Sequence, residues 1–254
     1  MADIEAVALV TGGARRIGAA IVRDLVRNGF AVAVHCHGSL AEAGDVVAAV
    51  EAEGGRCAVL AADLEDTGAC ADLVERAGAA LGPVRLLVNN ASVFEDDNAL
   101  TPDWTLWDRH FALHVKAPVA LTAALARQLP DAADGLVVNI IDQRVWKLTP
   151  QFFSYTLSKS ALWTATRTLA QAHAPRLRVN AIGPGPTLAN TRQDADDFAA
   201  QISALPLRKS PMLTEFGRTI RYFWDTPSLT GQMVALDGGQ HLAWQTADVA
   251  GIRE

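Results

Sequence analysis

Cysteine, clustered positive charge and long apolar runs are all scarce in this chain of 254 residues. The three cysteines, Cys36, Cys57 and Cys70, have no CxxC spacing, so we expect reduced thiols and no bound metal. The formal charge is −6, and no run of lysine or arginine offers a surface for nucleic acid. No apolar stretch is long enough to span a bilayer, and the first residues carry acids where a signal peptide is basic. We therefore expect a soluble cytoplasmic protein without a nucleic-acid or membrane partner.

Half of the residues are hydrophobic, which at this length is enough for one large core. Short runs that are apolar throughout alternate with longer amphipathic segments, a pattern that predicts a parallel sheet covered by helices on both faces. The expected fold is α/β, a single doubly wound domain of the Rossmann type over 1–254. The predicted strands lie in AVALV (6–10), AVAVHC (31–36), RCAVLAADL (56–64), VRLLVNNA (84–91), GLVVNII (135–141), RLRVNAIGPG (176–185) and GQMVALDGG (231–239).

Four further segments stand out between the strands. Helical patterns extend over 104–129 and 152–173, and a first helix is predicted at 17–29 with Gly29 as its stop. The segment 184–213 contains several prolines and little periodicity. Loops of that length tend to be functional, so it is either a variable flap over a substrate site or a loosely packed surface excursion.

The segment TGGARRIG (11–18) lies between the first strand and the first helix, where a glycine-rich loop can bind a dinucleotide. Gly12 and Gly18 are expected to let the backbone approach a pyrophosphate, at a helix N-terminus with free N–H groups. A tight turn that binds nothing is the alternative.

The second strand ends in HCHGS (35–39), without the acid that would accept ribose hydroxyls and repel a 2′-phosphate. Arg15 could pair with that phosphate, and His37 and Ser39 could hydrogen-bond to it, so NADPH is the expected cofactor. Asp63 is expected near the adenine, and NNAS (89–92) is expected to line the cofactor beneath the fourth strand; turn-stabilising roles are the alternative. The full predicted cofactor set is Gly12, Arg15, Arg16, Ile17, Gly18, His37, Ser39, Asp63, Leu64, Asn90, Ala91, Ser92, Tyr155, Lys159, Pro184 and Gly185.

Tyr155 and Lys159 are one helical turn apart, which places both side chains on one helix face. A nearby ammonium stabilises a phenolate, so we expect Lys159 to lower the pKa of Tyr155 and make proton exchange possible near neutrality. An isolated pair with this spacing is common on solvated helices, but this pair follows the fifth predicted strand.

The segments TGGARRIG, NNAS, YTLSK, VNAIGPG and LDGG resemble, in order and spacing, the short-chain dehydrogenase/reductase family over nearly the whole chain. The resemblance implies that Tyr155 is a general acid or base and that Lys159 holds the nicotinamide ribose. It also implies a homodimer or homotetramer built on the two long helices. Leu162, Trp163 and Leu169 support that expectation, because they exceed what one sheet-facing stripe needs.

Three positions depart from the common family pattern. Asp142 occupies the place of a serine, Arg16 that of the middle glycine of the loop, and His114 that of an asparagine. The first two resemble the pteridine reductases, and His114 resembles the related dihydromonapterin reductases. That branch places an aromatic residue after the NNAS turn to stack on the pterin, here Phe94. His114 is expected to be a hydrogen-bonded structural residue.

The resulting hypothesis is an NADPH-dependent reductase of a dihydropteridine such as dihydromonapterin, dihydrobiopterin or dihydrofolate. Reducing a C=N bond needs hydride at carbon and a proton at nitrogen, and a carboxyl group suits both pterin N–H groups and proton transfer. A carbonyl reductase of a sugar ketone or 3-oxoacyl thioester, and a non-catalytic dinucleotide-binding module, stay open as alternatives. The predicted catalytic residues are Asp142, Tyr155 and Lys159, and the predicted substrate residues are Arg16, Ser92, Phe94, Asp142, Trp146 and Tyr155.

Overall fold

A seven-stranded parallel sheet forms the centre of the computed structural model, which describes residues 5–189, 193–246 and 250–251. The strand order is β3-β2-β1-β4-β5-β6-β7, so the expected Rossmann-type doubly wound sheet is confirmed. The strands are β1 (Val7–Val10), β2 (Ala31–Cys36), β3 (Cys57–Ala61), β4 (Val84–Asn89), β5 (Gly135–Ile140), β6 (Leu177–Pro184) and β7 (Met233–Leu236).

Helices cover both faces of the sheet because its strands are apolar on both sides. In β1, Ala8 and Val10 pack into one core, whereas Val7 and Leu9 pack into the other. The helices are α1 (Arg16–Arg27), α2 (Leu40–Glu51), α3 (Thr67–Leu81), α4 (Trp104–Phe111), α5 (Ala117–Gln128), α6 (Phe153–His173), α7 (Ala195–Ser203) and α8 (Leu213–Asp225).

The predicted helix over 104–129 is interrupted by a π-helical turn, Ala112–Lys116, between α4 and α5. Pro118 in the first turn of α5 has no N–H to donate, so regular α-helical hydrogen bonding cannot run through this point. Turns of this kind are frequent at functional sites. Here the turn carries the buried His114.

The segment 184–213 is more regular than its sequence suggests, because it contains α7. The Asp194 side chain caps this helix by accepting a hydrogen bond from the N–H of Asp197 at 2.8 Å. Asp196 and Asp197 in the first turn also favour the positive end of the helix dipole. Residues 190–192 of the expected flap lie outside the described residues.

The side chains that suggested a partner subunit largely serve the chain's own core. Leu162 is buried against Ile141 and Met233, and Leu169 packs against the core on the α3 side of the sheet. Trp104 on α4 is, in contrast, 66% exposed. The homodimer or homotetramer therefore remains an inference from family resemblance, which light scattering of the purified protein would test.

No helix within the described ranges has the length and apolar character needed to cross a membrane.

Candidate active site

Successive strands are added toward one edge of the sheet from β1 to β3 and toward the other edge from β4 onward, so the strand order reverses between β1 and β4. The polar turns of the site follow the carboxyl ends of these two strands. Ligands of open α/β sheets bind in the crevice at such a switch point. Thr11 joins the two turns, since its hydroxyl accepts hydrogen bonds from the N–H groups of Asn90 (2.9 Å) and Ala91 (3.0 Å). Asn90 returns a bond from its side-chain amide to the Gly12 carbonyl at 3.0 Å.

The glycine loop needs its small residues for two different reasons. Gly12 has a φ of +62°, a left-handed conformation that favours glycine. Arg16 has a φ of +51°, which explains why related loops carry glycine at that position. Gly18 contributes close packing, because a Cβ there would lie 2.1 Å from the Gly12 carbonyl oxygen. The missing side chain thus lets α1 start against the loop, and the contact of Gly18 with a pyrophosphate stays a prediction.

His35, which the sequence did not single out, supports the glycine loop from β2. Its ring is 2% exposed, and Nδ1 accepts a hydrogen bond from the Gly12 N–H at 3.1 Å. Nε2 must then carry the hydrogen, which it donates to the Ala62 carbonyl at 3.1 Å. Burial lowers the pKa of His35 to about 4, although the bond to Ala62 opposes this change. The imidazole is thus neutral at physiological pH.

We expect His35 to make the protein sensitive to acid. At pH values between 4 and 6.5, His35 is protonated in the unfolded chain, where its pKa is 6.5, but not in the folded chain, where its pKa is about 4. The free energy of unfolding therefore falls with falling pH, by roughly 2 kcal/mol between pH 7 and pH 5. Urea unfolding of parent and His35→Asn at both pH values measures this difference, and equal pH slopes in the two proteins would refute it.

A cavity of about 380 Å³ extends from the glycine loop past Asn90 and Ser92 to Tyr155 and Lys159. A second cavity continues past Gly12 to the ends of β2 and β3, where His37, Asp63 and Leu64 line it. These two cavities are lined by every predicted cofactor residue except Ser39. Ser39 lies immediately before α2 and lines neither cavity.

Two polar side-chain pairs lie at the predicted 2′-phosphate position. Arg15 pairs with Glu42 of α2, and His37 Nδ1 lies 3.6 Å from Asp63 Oδ1. Both pairs are exposed at the surface, where such pairs contribute little stability and exchange readily for another anion.

Asp142, Tyr155 and Lys159 converge beyond the end of β5. The Tyr155 hydroxyl donates to Asp142 Oδ2 at 3.0 Å, while Asp142 Oδ1 accepts from the backbone N–H of Arg144 at 2.8 Å. Lys159, which is 2% exposed, donates from Nζ to the Ile140 carbonyl at 2.9 Å. The three predicted catalytic residues are thus neighbours, and the carboxyl group contacts the phenol directly.

The electrostatics of this group differ from the expected pattern. Burial and the Asp142 charge raise the pKa of Tyr155 well above its usual value, so the predicted lowering by Lys159 is wrong. Burial also raises the pKa of Asp142, with the Arg144 N–H and the Arg144 charge opposing it. Burial lowers the pKa of Lys159 to about 8. The tyrosine therefore keeps its proton, and burial makes the carboxyl group easier to protonate than an exposed one.

His114 lies behind the catalytic residues and holds two elements together. Its Nε2 accepts from the Val93 N–H at 3.2 Å, so the hydrogen resides on Nδ1 and is donated to the Ser158 hydroxyl at 2.8 Å. Ser158 in turn donates to the Tyr155 carbonyl at 2.8 Å. His114 is 1% exposed, and burial lowers its pKa well below the usual value. The expected structural role agrees with this geometry.

A third cavity of about 440 Å³ opens on the other side of Asp142 and Tyr155, toward the segment after β6. Of the predicted substrate residues, Arg16, Phe94, Asp142 and Tyr155 line it. Ser92 lines only the cofactor cavities. Trp146 lies outside all three, with its ring 5.1 Å from that of His241 and 42% exposed.

Phe94 does not present an open ring face on both sides. The Phe152 ring stacks on it at a centroid distance of 4.2 Å and an angle of 12°, and Tyr155 meets it edge-on at 4.8 Å. Phe152 has a left-handed φ of 54° at the start of α6. Phe152 and Arg144 were not predicted, and the only sequence signal for them is that they lie three residues before Tyr155 and two residues after Asp142.

A family model described as short chain dehydrogenase matches residues 6–200, which is most of the chain. The chain belongs to the short-chain dehydrogenase family.

Among the described residues, no three His, Cys, Asp or Glu side chains come together as a metal site.

Several known proteins are similar to this chain over nearly its whole length. The crystal structure of FolM alternative dihydrofolate reductase 1 from Brucella suis in complex with NADP has 61% identity and a TM-score of 0.94, covering 96% of this chain and 98% of that one. An uncharacterized oxidoreductase of Methylorubrum extorquens is 30% identical over 92% of this chain and 96% of its own. A 3-oxoacyl-[acyl-carrier-protein] reductase of Staphylococcus epidermidis is 26% identical, covering 92% and 98%.

Proposed function

We propose that this protein is an NADPH-dependent reductase that transfers hydride to a dihydropteridine of the dihydromonapterin, dihydrobiopterin or dihydrofolate type. The observation that carries the proposal is the hydrogen bond from Tyr155 to Asp142 at the wall shared by the cofactor and substrate cavities. The 61% identity to a Brucella dihydrofolate reductase crystallised with NADP supports it independently.

The residues of the cofactor cavities fit a phosphorylated dinucleotide. Gly12 and Gly18 form a cradle in which added Cβ atoms would meet backbone or neighbouring side chains, and the N-terminus of α1 faces it. An N-terminus of this kind favours phosphate through its N–H groups and dipole. Arg15 supplies positive charge, and Arg15 and His37 supply hydrogen-bonding groups, at the strand ends. The bound cofactor supplies the hydride.

The proton that accompanies the hydride comes, in this proposal, from the Asp142–Tyr155 pair. If Tyr155 alone released its proton to a ring nitrogen, a phenolate would remain beside a carboxylate, which is unfavourable in a buried site. A protonated Asp142 avoids this, because it replaces the proton of Tyr155 as that proton leaves. The negative charge then rests on Asp142, where Lys159 and Arg144 stabilise it.

The same carboxyl group disfavours a carbonyl substrate when it is ionised. Reduction of a ketone develops negative charge on oxygen, and Asp142 would repel that charge unless it is protonated. The Staphylococcus relative, a 3-oxoacyl reductase, keeps carbonyl reduction as the second candidate. A non-catalytic binding module is the third, although it gives no reason for the contact between Asp142 and Tyr155.

We expect a negative charge at Gly38 to weaken NADPH binding. A Cβ at Gly38 meets no atom within 4 Å, so Gly38→Asp adds charge near the proposed phosphate position without crowding. The dissociation constant for NADPH should rise about tenfold, while that for NADH stays within about twofold, as expected for the loss of roughly 1.4 kcal/mol. Gly38→Asn is the matched neutral control. Unchanged NADPH affinity in Gly38→Asp would place the 2′-phosphate elsewhere.

The proposed function is tested by NADPH oxidation with a panel of dihydropteridines, a 3-oxoacyl thioester and a sugar ketone. The proposal predicts the highest kcat/KM for a dihydropteridine. A higher value for a carbonyl compound would favour the second candidate, and no turnover of any substrate would favour the third.

A further inference from the structure

Arg144 is a charged residue of the substrate cavity whose guanidinium makes few hydrogen bonds within the protein. It follows Asp142 in the short 3₁₀ turn after β5 and lines the cavity together with Phe94 and Phe152. Its guanidinium carbon lies 5.1 Å from the Phe152 ring centroid and 5.7 Å from that of Phe94. A guanidinium on the outer face of Phe152 would be about one stacking distance farther from Phe94 than from Phe152, whereas the two observed distances are nearly equal. The guanidinium therefore lies beside the stacked pair of rings.

The guanidinium has few hydrogen-bond acceptors in the protein itself. Within the described ranges, Nε is buried without a partner, and the side chain's one hydrogen bond joins Nη1 to the Gln151 carbonyl at the long distance of 3.5 Å, which leaves the Nη atoms as the donors for a ligand. Its hydrogen bond to Asp142 is made by the backbone N–H, while the guanidinium charge acts on that carboxyl group through space. Arg16, the other arginine of the cavity, donates to two carbonyls of the flap, those of Ala189 (3.1 Å) and Leu188 (3.2 Å).

The charge of the cavity lining is also uneven. Arg16 and Arg144 contribute two positive charges, and Asp142 contributes at most one negative charge. Burial raises the pKa of Asp142, which reduces even that charge. The protein as a whole is acidic, with a formal charge of −6, so a cationic substrate cavity is a local feature.

We propose that Arg144 binds a carboxylate of the substrate, so that this site favours dihydropteridines with an acidic extension, the dihydrofolate class, over those with a neutral polyol side chain. The inference rests on the proposed function and specifies its substrate class. A guanidinium presents its donors in a planar fork that matches a carboxylate, and a charge-assisted pair of this kind is both stronger and more directional than a bond to a hydroxyl. A neutral polyol has no negative charge to pair with the guanidinium.

The position of Arg144 suits such an extension. Asp142 and Tyr155 lie at the wall shared with the cofactor cavity, where the reacting ring must meet the hydride. The Phe94–Phe152 pair adjoins Tyr155 through Phe94, and Arg144 lies along the flank of that pair. A flat ring bound against Tyr155 and an extension that follows the aromatic pair would bring a carboxylate to the guanidinium.

The test compares parent, Arg144→Met and Arg144→Lys with 7,8-dihydrofolate and 7,8-dihydrobiopterin. Methionine keeps an unbranched stem against the two rings but removes the charge, whereas lysine keeps the charge without the fork. We expect kcat/KM for dihydrofolate to fall about tenfold to 100-fold further than kcat/KM for dihydrobiopterin in Arg144→Met, because loss of the Arg144 charge beside Asp142 affects both substrates and loss of the carboxylate contact affects only dihydrofolate. Arg144→Lys should retain an intermediate activity toward dihydrofolate.

Dissociation constants for folate and biopterin, measured by tryptophan fluorescence with NADP present, provide a second readout that needs no turnover. The folate constant should rise about tenfold or more in Arg144→Met while the biopterin constant stays the same. Equal losses with both substrates would overturn the proposal and assign Arg144 to tuning Asp142. Unchanged values with both would also overturn it. A parent protein that binds and reduces neither pterin would instead refute the proposed function.

Discussion

Tyr155→Phe lowers kcat for dihydropteridine reduction by about 10²- to 10⁴-fold, the range expected when a positioned general acid is removed. The phenol is the protein group that adjoins both the cofactor cavity and the substrate cavity while donating to Asp142. Phenylalanine keeps the ring and its edge contact with Phe94, so the affinities for NADPH and for a pterin should stay within about threefold.

The chain provides a matched control, because it contains only two tyrosines. Tyr222 lies on α8 with 54% of its surface exposed, away from the residues that line the three cavities. Tyr222→Phe should retain the parental kcat. Stopped-flow measurement of a single turnover distinguishes loss of chemistry from loss of binding. A Tyr155→Phe protein that reduces dihydropteridine at the parental rate would remove Tyr155 from the mechanism.

Asp142→Ser should lower kcat/KM for a dihydropteridine by about tenfold to 100-fold. The substitution removes the charged acceptor for pterin N–H groups and the proton reserve behind Tyr155; a charge-assisted hydrogen bond alone is worth about 1.5–3 kcal/mol. The dissociation constant for NADPH should barely change, since Asp142 forms the substrate-side wall of the cofactor cavity.

Asp142→Asn is the companion variant. Asparagine has the same shape and can still accept the Arg144 N–H bond that fixes Asp142, but it cannot take up a proton. We expect a similar loss of turnover, and thermal unfolding of both variants checks that the fold survives. Parental activity in Asp142→Asn would show that the proton capacity of the carboxyl group is not used.

The strands and the order of the motifs were predictable from sequence because both depend on local pattern. Runs such as AVAVHC are apolar throughout, and β2 occupies the predicted range, Ala31–Cys36. The π-helical turn and α7 were not predicted. The first depends on how Pro118 disturbs an otherwise helical pattern, and the second on a cap at Asp194 within a proline-containing segment.

The chemical groups of the candidate site could be predicted from sequence motifs, whereas the contacts and burial of those groups could not. Tyr155 and Asp142 are 13 residues apart, and their direct contact depends on the turn after β5. His35 belongs to an apolar strand, so nothing in its spacing reveals the bond to Gly12. The direction of the Tyr155 pKa was wrong because helical spacing to Lys159 was visible, whereas burial beside a carboxylate was not.

The most direct test of the account is the ratio of kcat/KM for 7,8-dihydropteridine to kcat/KM for a 3-oxoacyl thioester, measured in the parent and in Asp142→Ser. The account predicts a ratio well above one in the parent that falls by about tenfold or more in the variant, because serine removes the carboxyl group that serves the ring nitrogen. If the dihydropteridine is reduced at the parental rate in Asp142→Ser and the ratio is unchanged, Asp142 is not there for the pterin, and carbonyl reduction becomes the better account of this site.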